Sequence, residues 1–490
     1  MSEDEIVVRK KRRESIEAQG FSAYPSTSHR TAPIGLLIEQ FQERIKSEES
    51  VTIAGRITAI RSHGGSMFIP IYDGTGSLQL FIKSDQIGAE SFAFTEQFDI
   101  GDFIETTGTL MLTKRGERSL LVLSQPRLLA KALRPLPEKW HGLTDVETRV
   151  RKRYLDFLTN EDSHKKAVQR SLVLQYVRQF FIDRGYLEVE TPILQTIPGG
   201  ATARPFKKHL NALDLDMYLR VAPELYLKRL VVAGFPKVFE VARCFRNEGI
   251  DHSHNPEFTQ VESYEAYANY RDYMKLIESL IRDVVNKIHS SSNFVFNDIT
   301  IDVAPDFKVL DWVDTLSDKL GVSIDDTDDD TLRATIVSKG VALESHEGRG
   351  SMLDTAYKQL VRPYIEQPTF LINLPTALSP LAKPMTDNPS RAERFSLVLG
   401  GGVELVNGYS ELNDPALQRM RFEEQESLRE AGDEEAQRID TDYLEALEYG
   451  MPPTAGLGIG IDRLASLLTN STSLKEIILF PTVKPKQDVE

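Results

Sequence analysis

Residues suited to binding a small charged molecule recur on segments that alternate like β-strands. In residues 238–248, alternation places Arg246 and Glu248 on one face. In residues 257–267, the same rule brings four side chains to one face: Phe258, Gln260, Glu262 and Tyr264. Either strand alone fits a solvated outer face equally well. Two adjoining strands of this kind, joined by a loop with two histidines, favour a binding site.

A third alternating run places Asn407, Tyr409 and Glu411 on one face, and its Gly408 lets a ligand come close. Pooled with Glu224, the strands offer one guanidinium, three carboxylates, two phenols and an amide. This set suits a zwitterion with an additional positive end. Lysine is the obvious candidate.

The charges indicate how such a ligand would lie. Its α-carboxylate would take Arg246 and Asn407, and its α-ammonium a carboxylate such as Glu224. The distal ammonium would take the remaining charged and neutral partners: Glu262, Glu411 and Tyr264.

Near the end of the sequence, glycines alternate at positions 456, 458 and 460 and leave one strand face without side chains. A flat ring could lie on that backbone, with Phe258 on its other side and Arg463 at its end, as an adenine nucleotide requires. A closely packed sheet–helix junction is the alternative. The spacing matches neither a Walker A loop nor a dinucleotide fingerprint.

The composition narrows the class of protein. The 490 residues are 41% hydrophobic and 27% charged, typical of globular chains. No apolar run approaches a membrane span, and the first residues lack a secretory signal, so we expect a cytoplasmic protein with no membrane partner. Cys244 is the single cysteine, which excludes an intrachain disulfide and the common zinc spacings. The net charge of −15 confines any nucleic-acid contact to local basic patches.

The elements that would position these residues fall into four predicted segments. Residues 1–50 form a helical extension, whose basic cluster at 9–13 is either a solvated helix face or an RNA-facing one. Short strands in 51–130 predict a small barrel of the oligonucleotide-binding (OB) kind, with an SH3-like barrel as the alternative. Residues 131–152 are a predicted linker, and 153–490 a larger α+β body.

Three ordered motifs resemble those of class II aminoacyl-tRNA synthetases. GYLEVETPIL (185–194) resembles motif 1, RCFRNE through HNPEF (243–258) resembles motif 2, and GLGIGIDRL (456–464) resembles motif 3. IPGGATARPF (197–206), APELYLKRL (222–230) and NGYSELNDP (407–415) are similar to lysyl-tRNA synthetases, as is the barrel before them.

The resemblance implies an α+β fold, in which an OB barrel precedes a catalytic domain with a mainly antiparallel six- to seven-stranded sheet flanked by helices. It implies attachment of L-lysine to tRNA(Lys) through a lysyl-adenylate, with ATP consumed. It also implies a homodimer formed through motif 1.

The resemblance further implies roles for matching residues. Arg246, Glu248 and Arg463 would be catalytic. Arg246 would bridge the lysine carboxylate and the α-phosphate, and Glu248 would recognise the adenine amino group. Arg463 would approach the γ-phosphate. The implied ATP site comprises Arg246, Glu248, His254, Phe258, Glu404 and Arg463. The implied lysine site comprises Gly200, Glu224, Arg246, Glu262, Tyr264, Asn407, Tyr409 and Glu411.

Magnesium dependence is expected because the negative charge of the ATP phosphates must be neutralised. Glu404 and Glu411 are the candidate ligands. The family usually has a second glutamate where this chain has Ser396, which leaves the number of protein-held ions open.

In the barrel, Phe68, Gln79 and Gln125 match positions that contact anticodon bases in the family, although a glutamate is more usual at position 125.

Three alternative functions were weighed. A paralogue that modifies a protein lysine normally lacks the barrel, which residues 51–130 supply. An aspartyl or asparaginyl synthetase would need cationic groups in place of Glu262 and Glu411. A catalytically inactive RNA-binding or amino-acid-sensing module conflicts with the intact set of Arg246, Glu248, Phe258 and Arg463.

Overall fold

The computed structural model describes residues 3–137, 143–201, 203–344, 347–430 and 438–485. Part of the predicted linker, residues 138–142, therefore lies outside the described residues, as do short stretches of the predicted catalytic domain. The chain divides into two compact units, Met1–Thr144 and Asp145–Glu490. The finer domain boundaries given above stay predictions.

The first unit is built around a closed barrel. Its helices are α1 (Glu3–Ala18), α2 (Ile34–Glu39), α3 (Phe41–Ser47), α4 (Ser84–Ile87) and α5 (Ala89–Thr95). Its strands are β1 (Val51–Ile57), β2 (Arg61–His63), β3 (Ser66–Tyr72), β4 (Ser77–Lys83), β5 (Phe103–Leu112), β6 (Arg118–Val122) and β7 (Arg127–Ala130). Pairing runs β1-β3-β4-β6-β5 and closes from β5 back to β1. This five-stranded closure confirms the OB prediction over the SH3-like alternative.

Strict alternation fills the barrel. Every second residue of β1, β3 and β4 is buried, among them Ile53, Ile69 and Leu80. The intervening side chains therefore face outward, and that outer surface is available for a ligand.

The basic cluster of the first helix is divided between exposed side chains, such as Lys10 and Lys11, and side chains that contact the rest of the unit. Arg9 is 5% exposed and donates to the backbone oxygens of Ile100 and Ala132. Arg12 forms an ion pair with Asp99. These contacts attach α1 to neighbouring segments of the same unit, and they offset part of the cost of burying a charged group.

The second unit contains the large sheet. Its helices are α6 (Val146–Arg151), α7 (Arg153–Thr159), α8 (Glu161–Ile182), α9 (Glu224–Val232), α10 (Tyr270–His289), α11 (Trp312–Leu320), α12 (Asp329–Ser338), α13 (Arg349–Leu360), α14 (Pro415–Glu430), α15 (Thr441–Glu448), α16 (Ile461–Leu468) and α17 (Leu474–Ile477). Its strands are β8 (Leu187–Glu188), β9 (Leu194–Gln195), β10 (Lys207–Leu210), β11 (Leu215–Leu219), β12 (Lys237–Phe245), β13 (Glu257–Ala266), β14 (Asn293–Phe296), β15 (Ile299–Asp302), β16 (Lys308–Asp311), β17 (Thr369–Ile372), β18 (Arg394–Leu399), β19 (Val403–Ser410) and β20 (Thr454–Gly460).

Within the described residues, the large sheet has the order β16-β17-β18-β19-β20-β13-β12-β8. The six central strands are antiparallel, and the edge strands β16 and β8 pair in parallel. The α+β class is confirmed. The sheet exceeds the predicted six to seven strands because edge strands of two and four residues are too short to show an alternation.

The two faces of this sheet differ. Phe239, Val261 and Ile459 are fully buried on one face, where they pack with apolar residues of α8 and α10. Helix α10 begins with a capping box between Asn269 and Asp272. Because side chains alternate, this packing directs the intervening residues of β13, β19 and β20 to the opposite face.

No helix of the described residues is long and apolar enough to cross a bilayer.

Candidate active site

The opposite face of the sheet lines a cleft with a volume of about 700 Å³. Predicted site residues from strands, loops and helix α9 converge there. They are Gly200, Glu224, Arg246, Glu248, His254, Phe258, Glu262, Tyr264, Glu404, Asn407, Tyr409 and Arg463. Strand parity thus assembled residues that are as much as 263 positions apart in the sequence.

Strand β20 aligns the lysine-site candidates in two cross-strand rows. In one row, Gly458 lies between Glu262 of β13 and Asn407 of β19. In the next, Gly456 lies between Tyr264 and Tyr409. The glycines therefore form a floor between two walls of functional side chains.

Close approach explains the glycine at position 456. A Cβ there would overlap the carboxylate of Glu411 and the ring of Tyr264. At Gly458 the nearest side-chain atom is Cγ of Glu262, 3.7 Å from an added Cβ. The first glycine is needed for packing inside the protein, whereas the second keeps an open surface for a ligand.

Glu262 is the carboxylate most directly presented to the cleft. Its Oε1 accepts a hydrogen bond from Gln260 at 2.6 Å, and its Oε2 accepts one from the Tyr264 hydroxyl at 3.2 Å. Burial raises the pKa of the Glu262 carboxyl well above its ordinary value, and the charge of Glu224 raises it further. A cation placed here would remove that electrostatic penalty.

A buried ion network lies behind this wall and includes a residue that sequence analysis missed. The Lys228 ammonium lies 2.6 Å from Oε1 of Glu224 and forms an ion pair with Glu411. The same Glu224 oxygen accepts a hydrogen bond from the Tyr409 hydroxyl at 2.6 Å. Glu411 is 1% exposed and does not line the cleft itself. The spacing of Lys228 four residues after Glu224 on a helix was an available signal.

The other part of the cleft is cationic. The Arg246 guanidinium lies 5.0 Å from the centre of the Phe258 ring, and its Nε is buried without a hydrogen-bond partner. Arg463 is anchored by a 2.8 Å hydrogen bond to the backbone oxygen of Glu404. Arg362 and Arg394, which sequence analysis did not single out, also line the cleft. Four guanidiniums in one cleft suit a polyphosphate.

The loop after β12 carries the remaining ATP-site candidates. Glu248 is exposed at the cleft, beyond the end of the strand. The His254 ring forms a 2.9 Å contact with the carboxylate of Asp251. The main-chain N–H of Arg246 donates to the backbone oxygen of Pro256 at 2.9 Å, which holds the two sides of this loop together.

Asn407 has two protein partners of its own. Its Oδ1 accepts from Arg394 at 2.8 Å, and its Nδ2 donates to Oε1 of Glu404. The amide is therefore fixed in orientation, with one N–H remaining for a ligand. Arg394 also donates to Ser379 at 3.0 Å, so it connects Asn407 to a cleft-lining loop.

The structure contradicts the assignment of Glu411 to magnesium. Glu404 and Glu411 lie near opposite ends of β19, roughly 20 Å apart at the rise of a strand, and Glu411 is ion paired with Lys228. Ser396 lies on β18, paired with Asn407 of β19, and it supplies no second carboxylate. Among the described residues, no cluster of three or more acidic, histidine or cysteine side chains could hold a metal. Of the two predicted ligands, Glu404 lines the cleft.

The predicted anticodon residues lie in the barrel unit. Phe68 is half-buried on the outer face of β3 and stacks on Phe81, with ring centres 4.8 Å apart. Gln79 of β4 donates to Ser119 at 3.1 Å and accepts from Arg61 at 3.3 Å. Gln125 lies between β6 and β7, and in the described part of the chain no hydrogen bond joins it to Phe68 or Gln79.

Sequence comparison matches both units to known families. Residues 145–484 match the family described as tRNA synthetases class II (D, K and N), and residues 51–128 match an OB-fold nucleic acid binding domain. The chain belongs to the class II tRNA synthetases of the D, K and N group.

Three similar proteins carry the name lysine–tRNA ligase. The chain is 44% identical over 487 residues to the lysine–tRNA ligase of Moorella thermoacetica, covering 99% of each chain. It is 44% identical over 477 residues to that of Roseiflexus castenholzii, covering 97% of each. It is 43% identical over 483 residues to that of Pelotomaculum thermopropionicum, covering 98% of this chain and 95% of the relative.

Proposed function

We propose that this chain is an ATP-dependent lysine–tRNA ligase. In the first step, the lysine carboxylate attacks the α-phosphorus of ATP, and the bond to the β-phosphate breaks. The products are lysyl-adenylate and pyrophosphate. In the second step, the hydroxyl of the terminal adenosine of tRNA(Lys) attacks the lysyl carbonyl, and AMP leaves.

The observation that carries this proposal is the division of charge along one cleft. Glu224 and Glu262 line the same cleft as the arginines. Glu262 lies beside Gly458, and Arg463 packs against Gly460, one step further along β20. Lysine brings two ammonium groups and one carboxylate, whereas ATP brings a polyanion. The cleft matches both molecules with their reacting groups adjacent.

In this proposal, Arg246 stands at the junction of the two substrates. Stacking on Phe258 positions the guanidinium, and its buried, unpartnered Nε is available to donate to an anionic oxygen. It holds the lysine carboxylate against the α-phosphate and offsets the charge that builds up there. No protein nucleophile is needed.

Other residues divide the binding of the substrates. Phe258 and the glycine floor hold the adenine, Glu248 accepts from its amino group, and Arg463 with His254 contacts the outer phosphates. Magnesium bound with ATP supplies positive charge to the phosphates. Glu404, fixed by Asn407, is the carboxylate that meets it.

For lysine, Glu262 and Tyr264 bind the distal ammonium, with Glu411 behind them. Burial raises the pKa of Tyr264 well above its ordinary value, which keeps the hydroxyl a hydrogen-bond donor. Asn407 supports the carboxylate and Glu224 the α-ammonium. Gly200, with φ +87° and an added Cβ 2.8 Å from Cβ of Glu224, lets the loop approach the acidic wall.

We further propose that the barrel binds the anticodon through its outer face. Phe68 offers a half-exposed ring for stacking, and Gln79 and Gln125 offer amide groups for base edges. Translation takes place in the cytoplasm, which is the proposed location.

We also propose a homodimer through the motif 1 region. Leu187, Ile193 and Leu194 are 50%, 44% and 45% exposed in the single chain. Exposed apolar residues at the edge of a sheet are typical of an interface. Sedimentation velocity is expected to give twice the chain mass of 55.3 kDa. A monomer at micromolar concentration would refute the dimer.

The function is tested by ATP–pyrophosphate exchange with each of the twenty amino acids, followed by charging of total tRNA. Lysine alone is expected to stimulate exchange strongly and to be transferred to tRNA. Exchange with aspartate or asparagine but not lysine would remove the lysine assignment. Lysine-dependent exchange without charging would remove the tRNA step.

A further inference from the structure

Glu224, Glu262 and Glu411 form an acidic wall, and Lys228 is a buried cation paired with two of them that the mechanism above does not use. Its side chain is fully buried and contacts neither the cleft nor solvent. Its ammonium lies against Glu224 and Glu411, 5.5 Å from the Tyr409 ring centre and 6.0 Å from that of Tyr443. Burial opposes a charge at this position, but the two carboxylates raise the pKa of Lys228 above its ordinary value.

The charges of the wall can be counted. Glu224, Glu262 and Glu411 carry three negative charges when ionised, and Lys228 returns one positive charge. Two negative charges remain. Lysine carries two ammonium groups, and its carboxylate faces Arg246. The net charge of the wall therefore balances the two ammonium groups of lysine only when the charge of Lys228 is included.

The geometry shows which carboxylate depends most on the ion pair with Lys228. Both oxygens of Glu411 are buried, and among the described residues neither accepts a hydrogen bond of good geometry. The ion pair with Lys228 is thus its principal compensation. Glu262, in contrast, has two hydrogen-bond donors and lines the cleft. Lys228 holds Glu411 over Gly456 and leaves Glu262 open to a ligand.

We infer that Lys228 is a positioning residue that determines specificity by balancing the wall at two net negative charges, the number that a diamino acid neutralises. This inference rests on the proposed function, because it assigns lysine to that cleft. Lys228 acts through Glu224 and Glu411 and does not touch the substrate. Removing it leaves a third buried negative charge that lysine cannot compensate.

The inference is tested with three variants: Lys228→Met, Glu411→Gln and the double variant. With the three glutamates counted as ionised, the net charge of the wall is three negative in Lys228→Met and one negative in Glu411→Gln. It is two negative in the double variant. Lysine binding is measured by calorimetry without ATP, and the KM values of lysine and ATP by pyrophosphate exchange. Each single variant is expected to weaken lysine binding by about tenfold or more, with the KM of ATP changed less than about twofold. The double variant, with its charge count restored, is expected to bind lysine more tightly than either single variant.

Lys287→Met is the control for loss of a lysine from a helix, because Lys287 forms a partly exposed i,i+4 pair with Asp283, at 2.7 Å, away from the cleft. It is expected to leave lysine binding unchanged. A double variant no tighter than Lys228→Met would overturn the inference, as would unchanged lysine binding in Lys228→Met. If Lys228→Met does not fold, the double variant must still bind lysine more tightly than Glu411→Gln. Failure of the unmodified chain to bind lysine would instead refute the proposed function.

Discussion

Individual residues in the cleft are held by neighbours that restrict what each can bind. Glu262 shows this most clearly, since Gln260 and Tyr264 fix its two oxygens on the cleft side of the sheet. A carboxylate fixed in this way, in a buried site, discriminates strongly between a charged partner and a neutral one.

Glu262→Gln is therefore expected to raise the KM of lysine by about 10- to 100-fold, since a hydrogen bond to a charged group contributes about 1.5–3 kcal/mol. The KM of ATP is expected to change by less than about threefold. Steady-state pyrophosphate exchange measures both. Glu445→Gln, an exposed carboxylate on α15, serves as the control. Equal losses for lysine and ATP would count against the assigned role.

The raised pKa values of Glu262 and Glu411 predict that lysine binding depends on pH. Burial is the main cause of both shifts, and the ion pair with Lys228 only partly opposes the shift at Glu411. An ammonium ligand favours the ionised carboxylates, so it lowers their pKa and releases protons on binding. Lysine affinity is therefore expected to increase with pH until both groups are ionised in the free enzyme.

Calorimetry in buffers of different ionisation enthalpy measures this release. The expected result is net proton release near neutral pH, reduced in Glu262→Gln. Proton uptake, or affinity that falls as the pH rises from 6 to 8, would contradict the prediction.

The residues that sequence analysis missed share a physical cause. Strand parity predicted which side chains share a face, but it cannot show which buried groups meet from different elements. Arg394 of β18 reaches Asn407 of the neighbouring strand β19, and Lys228 reaches Glu411 from a helix. The distance along β19 likewise corrected the pairing of Glu404 with Glu411.

At the scale of elements, the prediction was most accurate where a segment had one buried face. The strand-like runs at 238–248 and 257–267 are observed as β12 and β13, with ends shifted by at most three residues. The helical extension predicted over 1–50 is interrupted at Gln40, between α2 and α3. Apolar periodicity continues across that break, so periodicity alone could not locate it.

The glycine strand β20 gives a prediction at this scale. Gly456→Ala is expected to lower the melting temperature of the protein by a few degrees, because overpacking costs about 1–3 kcal/mol. It is also expected to raise the KM of lysine, since the added Cβ displaces Glu411 or Tyr264.

Gly458→Ala is the matched control for stability, with its nearest side-chain atom at an ordinary contact distance of 3.7 Å. Differential scanning fluorimetry compares the two variants. A smaller destabilisation by Gly456→Ala than by Gly458→Ala would contradict the close packing described here.

At the scale of the whole molecule, two compact units carry two different kinds of site. The cleft belongs to Asp145–Glu490, and the candidate anticodon residues belong to Met1–Thr144. Composition alone indicated neither function, because the net charge of −15 is unfavourable for RNA. The local motifs decided the assignment.

Phe68→Ala is therefore expected to raise the KM of tRNA by about 5- to 100-fold, since stacking on one base contributes about 1–3 kcal/mol. Lysine-dependent pyrophosphate exchange without tRNA is expected to stay the same. Tyr72→Ala, at the other end of β3, is the control. An unchanged KM of tRNA in Phe68→Ala would remove this residue from the anticodon site.

The central claim is that an acidic wall and an arginine cluster in one cleft hold lysine beside ATP. A crystal structure with lysine and a non-hydrolysable ATP analogue tests it most directly. The expected result places the side-chain ammonium within about 3 Å of Glu262 and the carboxylate on Arg246, facing the α-phosphate. Lysine bound elsewhere, or with its side chain directed away from Glu262, would contradict the account.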